Sequence, residues 1–136
     1  MAHWLERRPE EQGRQVVVAA TPSGLRDVTP EAADVRCRVH EYGGGDYGFL
    51  GRELVYVLAG GGLWSGSGSA LPGALGRARY GDMVGAPDGA WLVAVEEEAR
   101  EGDEPANRLV AFERATGRRV AVSYTHLRAH ETAMNI

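Results

Sequence analysis

The sequence predicts an all-β protein, and three observations carry that expectation. Nineteen glycines and six prolines are spread along the 136 residues and cut the chain into short segments. Those segments are rich in Val, Leu, Tyr and Trp, which suit a pleated, half-buried surface better than a helix. No stretch sustains a helical period: apolar residues come in short runs, as in Val16-Val17-Val18, or alternate, as over residues 35–40.

In chain order, Trp4-Leu5-Glu6 reads as the end of a strand stopped by Arg7-Arg8-Pro9, since proline lacks the amide a ladder needs. Residues 15–20 form a strand on their β-branched run, closed by Thr21-Pro22-Ser23-Gly24. A loop is expected through Leu25-Arg26-Asp27-Val28-Thr29-Pro30, then one helical turn at Glu31-Ala32-Ala33-Asp34. Over residues 35–40 the alternation puts Val35, Cys37 and Val39 on one face and Arg36, Arg38 and His40 on the other. Gly43, Gly44 and Gly45 follow, permitting a kink with positive φ or close approach by another backbone.

Further strands are expected at residues 47–50, 53–59 and 63–65, and residues 65–75 read as loop. Residues 82–86 and 90–95 make a hairpin about Pro87-Asp88-Gly89. Six carboxylates among residues 96–104 mark a solvated hairpin tip, and residues 109–113 and 118–121 pair across Ala115-Thr116-Gly117. Short antiparallel strands in sets suit a β-propeller, whose four-stranded blades recur every ~40–50 residues. One blade would run over residues 46–75 and the next over 81–121. Periodicity alone leaves sandwich and barrel open.

Composition narrows the function. A formal net charge of −4, with a pI of about 5.6 and no basic cluster, argues against a nucleic-acid or anionic-membrane partner. Cys37 is the one cysteine, so no intramolecular disulfide forms and a reducing, cytoplasmic compartment fits best. No apolar run approaches the ~20 residues that span a bilayer. The N-terminal residues carry no apolar stretch like that of a signal peptide.

Residues 122–132, Val-Ser-Tyr-Thr-His-Leu-Arg-Ala-His-Glu-Thr, resemble one reading frame of a transposase-type sequencing adapter. The expected division is therefore a natural domain over residues 1–121 and an artefactual tail over 122–136. The tail holds His126 and His130, spaced i, i+4 beside Glu131 as zinc ligands are. A zincin places its Glu directly after the first His, where this chain has Leu127, so no metal site is expected. No cofactor is expected either.

One motif carries more. Arg36-Cys37-Arg38-Val39-His40-Glu41-Tyr42-Gly43-Gly44-Gly45 resembles the Arg-x-Arg-Val-His-Glu-Tyr-Gly-Gly-Gly signature of the N-terminal propeller of bacterial prolyl-oligopeptidase-type (S9-family) serine peptidases. The branch it is most similar to is that of the acylaminoacyl peptidases and dipeptidyl aminopeptidases. Other pieces follow the family's order: Trp4-Leu5-Glu6, Leu25-Arg26-Asp27-Val28-Thr29-Pro30, Arg79-Tyr80-Gly81-Asp82, and residues 104–111. Departures are Cys37 for a common Ser or Thr, Asp46 for Ala, and a short, Gly/Ser-rich stretch over residues 60–76.

The resemblance implies a partial propeller of roughly two to three blades. In the parent enzyme this part would cap an α/β-hydrolase domain and restrict access of peptide substrate. The family's nucleophile sits in a Gly-x-Ser-x-Gly elbow, and none occurs here; Gly66-Ser67-Gly68-Ser69 lacks the spacing. No catalytic residue is therefore expected in this chain. Arg36, Arg38, His40 and Glu41 are candidate substrate contacts, since arginine suits a carboxylate and Glu41 an amine. The competing structural role is an arginine–glutamate pair bracing the glycine kink, with Tyr42, Gly43, Gly44 and Gly45 as structural signature. The alternative is a self-contained, non-enzymatic β-domain that binds a protein or peptide.

Overall fold

The computed structural model describes residues 2–36, 45–66, 68–74, 78–98 and 106–125, with backbone alone at residues 106 and 123–125. Among them the fold is all-β: three antiparallel sheets and one 3-10 turn, Pro9–Glu11. The first sheet is β1 (His3–Arg8), β2 (Arg14–Thr21) and β3 (Gly24–Asp27), in that order. The second is β4 (Tyr47–Leu50), β5 (Glu53–Val57) and β6 (Leu63–Ser65). The third has four strands in sequence order: β7 (Arg79–Gly85), β8 (Trp91–Glu98), β9 (Ala106–Glu113) and β10 (Arg119–Thr125).

Each sheet is a meander because the turns between its strands are short. Gly89 at φ 75° and Gly117 at φ 72° close the β7–β8 and β9–β10 turns in the left-handed region, where glycine has no Cβ penalty. The Asp88 carboxylate accepts the Ala90 amide at 2.9 Å and steadies the first of these.

Two apolar cores join the sheets in chain order. Val17 from the first sheet packs with Val35, Leu54 and Tyr56 and with the flanks of Leu5, Val28, Phe49 and Trp64. Leu50, Val55 and Val57 of the second sheet pack with Tyr80, Leu92, Ala94, Val110 and Phe112 of the third. The arrangement is open rather than closed on itself. Burial of such side chains stabilises each junction by about 25 cal/mol per Å² of apolar surface.

The seam between the second and third sheets is unusually close. A Cβ on Gly48 would lie 3.1 Å from the Met83 carbonyl oxygen, and one on Gly85 would intrude on the Phe49 carbonyl oxygen. Glycine at both places lets β4 and β7 meet backbone to backbone.

Several expectations are corrected. Residues 24–27 form β3 rather than loop, and all four are exposed. Their ladder to β2, Val18 to Asp27 through Thr21 to Gly24, holds them without an apolar face. Residues 30–33 make a β-turn, the Ala33 amide donating to the Pro30 carbonyl at 2.9 Å, and not a helical turn. Glu96–Glu98 belong to β8, with Glu96 fully buried, and do not form a solvated tip. Of the alternating stretch 35–40, Val35 makes an isolated bridge to Leu58 and residues 37–40 lie outside the described residues. The last strand, expected over residues 118–121, is β10 and runs to Thr125, with a register shift between Ala121 and Ser123. No helix among the described residues is long and apolar enough to cross a membrane.

Candidate functional site

Arg36 is held as a brace between two sheets. Its Nε donates to Asp34 Oδ2 at 3.2 Å and its Nη2 to the Gly13 carbonyl at 2.8 Å, while its own amide donates to Val57 at 3.0 Å. Asp34 in turn accepts the Gln15 amide at 2.9 Å. Among the described residues the guanidinium is bonded to the carboxylate two residues back and to the Gly13 carbonyl. Arg38, His40, Glu41, Tyr42, Gly43 and Gly44 lie outside the described residues, as do His126 and His130. Among the described residues no group of three or more His, Cys, Asp or Glu could hold a metal ion.

Gly45, the last glycine of the signature, has φ 62°, and a Cβ there would lie 2.5 Å from the Asp82 amide nitrogen. Asp82 itself adopts φ 51° inside a β7 irregularity between Gly81 and Val84. Aspartate is among the few non-glycine residues that enter this left-handed region readily. The signature glycine and the Arg79-Tyr80-Gly81-Asp82 segment therefore meet in space.

A buried charge network lies in the third sheet. Tyr80 Oη donates to Glu96 Oε2 at 2.6 Å, Arg119 Nε donates to the same oxygen at 2.8 Å, and Arg119 Nη2 donates to Oε1. Arg108 Nη1 stands 3.6 Å from Oε1. Burial alone would push the Glu96 carboxyl up, but the bonds from Arg119 and Tyr80 and the charges of Arg119 and Arg108 hold it below its ordinary value. A forked guanidinium on a carboxylate is the strong geometry of its kind. Every side of Glu96 faces protein, so the network serves the sheet rather than a ligand. Tyr80→Phe, which removes one charge-assisted bond, is expected to cost about 1.5–3 kcal/mol in urea unfolding.

The described residues also surround an open cleft of about 1140 Å³ where the first and second sheets diverge. The register of the first sheet builds one wall. His3 pairs with Ala19, and Ala19 with Arg26, so the three stand in a row on one face with the smallest in the middle. Val28, Phe49 and Leu54 supply apolar surface, Arg52 comes from the β4–β5 turn and Glu53 from the start of β5. The His3 ring lies on Phe49 with centroids 4.8 Å apart, and Tyr47 Oη donates to the His3 carbonyl at 3.3 Å. Sequence reading missed this cleft, because its residues are scattered over 60 positions of chain and only the strand register collects them.

No family model matches the chain, and no curated protein matches it. Among solved structures it is similar to a Mycobacterium tuberculosis puromycin-hydrolysing peptidase, with 26% identity and a TM-score of 0.73 over 90% of this chain. The chain spans 22% of that peptidase, so its strands are similar in arrangement to part of a peptidase fold.

Proposed function

We propose that the chain is part of the β-propeller of a prolyl-oligopeptidase-type serine peptidase, of the acylaminoacyl-peptidase and dipeptidyl-aminopeptidase-like branch. Its role is steric and orienting: it caps the active site of the parent enzyme, excludes folded proteins and admits short peptides. The structural likeness to part of a peptidase carries this reading, because it covers 90% of the chain. Three meandering sheets packed in chain order support it, and in this reading each sheet corresponds to a blade. The setting is cytoplasmic, in keeping with the single Cys37.

Arg36 and Gly45 act in this reading as signature residues that join one blade to the next, through Asp34 and Val57 in one case and Asp82 in the other. The nucleophile belongs to the parent's hydrolase domain, since no Gly-x-Ser-x-Gly is in the sequence. The 136-residue chain, treated with a fluorophosphonate probe and with aminoacyl and N-acylaminoacyl anilides, is expected to show no serine labelling and no release of aniline. Stoichiometric labelling with turnover would overturn the assignment of catalysis to another domain.

A further inference from the structure

The cleft between the first two sheets is lined by two arginines and one carboxylate, in a chain whose net charge is −4. Two arginines line it, Arg26 and Arg52, and both are exposed. The carboxylate next to each is already occupied. Asp27 accepts two bonds from Arg8, at 2.7 and 2.6 Å, and Glu53 accepts one from Arg114 at 2.7 Å. The Arg8 bonds hold Asp27 below the ordinary carboxylate range. Arg26 and Arg52 therefore keep their charge unneutralised at the rim of an apolar floor made by Val28, Phe49 and Leu54.

We propose that this cleft binds a carboxylate borne next to an apolar side group, the chemistry of the C-terminal residue of a peptide. The guanidinium of Arg26 or Arg52 takes the carboxylate, a planar donor pair meeting a planar acceptor pair. The apolar side group lies on Phe49 and Leu54, the arrangement usual for small-molecule sites: mostly apolar lining with a few placed charges. No bond is made or broken. The proposal rests on the cleft's own residues and stands whether or not the peptidase assignment holds.

The test is calorimetric titration of the 136-residue chain with N-acetyl-phenylalanine and with its C-terminal amide, which differ only in the charged group. The acid is expected to bind about tenfold more tightly than the amide, and the preference to shrink with added salt. In the Arg26→Gln/Arg52→Gln double variant the two ligands are expected to bind equally. Both arginines are exposed, so the variant keeps its fold, checked by far-ultraviolet dichroism. Arg118→Gln, an exposed arginine outside the cleft, is expected to keep the preference. Equal binding of acid and amide to the unaltered chain, no binding of either at millimolar concentration, or a preference that survives in the double variant would each overturn the proposal.

Discussion

Glu96→Ala is expected to destabilise the chain by about 3–5 kcal/mol, because it leaves buried cationic and hydroxyl groups without their common acceptor. Tyr80, Arg119 and Arg108 all converge on this one carboxylate, which is fully buried. A domain of this size has about 5–15 kcal/mol in total, so the loss is a large share of what holds it folded. Urea unfolding monitored by the Trp91 and Trp64 fluorescence reads it directly. A shift below about 1 kcal/mol would mean that water reaches the network and the burial argument is wrong.

The same network sets a pH dependence whose sign is fixed. The folded Glu96 carboxyl lies below its ordinary value of 4.5, so the unfolded chain takes up a proton first as pH falls. The contribution is therefore fully present above the unfolded value, and is lost as pH falls through the folded one. Asp27, held low chiefly by its bonds from Arg8, adds in the same direction, discounted because that pair is largely exposed. Stability is expected to be flat from pH 7 to about 5 and to fall below that. In Glu96→Gln the acid limb flattens.

Gly85→Ala is expected to be nearly as damaging, at about 3 kcal/mol, although it adds one methyl group. The added Cβ meets the Phe49 carbonyl oxygen and stands 3.2 Å from the Leu50 Cα, both backbone, so no side chain can turn aside. The two sheets must part, and the core of Leu50, Tyr80 and Leu92 parts with them. Gly60→Ala has open space around its Cβ and serves as the control; it is expected to change stability by under about 1 kcal/mol. A comparable midpoint in both variants would deny the close β4–β7 seam.

What the sequence made legible follows from how each element is held. Strands β2 and β5 lie between two neighbours in their sheets and carry runs such as Val16-Val17-Val18 and Leu54-Val55-Tyr56-Val57, whose burial and β-branching announce them. Strand β3 was hidden because Leu25-Arg26-Asp27 is an exposed edge, held by backbone bonds that any sequence can make. Glu96 was hidden by its neighbours: a dense acidic run reads as solvated, whereas the alternation Leu92, Ala94, Glu96 puts the third residue on the core face. That alternation was the available signal, and the compensating Arg119 lay a hairpin away. Arg36 stood out in the sequence for its motif, whereas its partner, Asp34, depends on how the chain turns at Pro30. The cleft needed the register of His3, Ala19 and Arg26 across three strands, which no local pattern encodes.

The proposal that these sheets are blades of a serine peptidase is decided by reading the source DNA through and beyond the codon for Ala121, and upstream of Met1. The account predicts that the natural frame departs from the Val122-Ser123-Tyr124-Thr125 sequence, continues through further blades, and enters a hydrolase domain bearing Gly-x-Ser-x-Gly followed by Asp and His. Genomic DNA that encodes residues 122–136 and then stops would contradict both the adapter reading and the peptidase assignment.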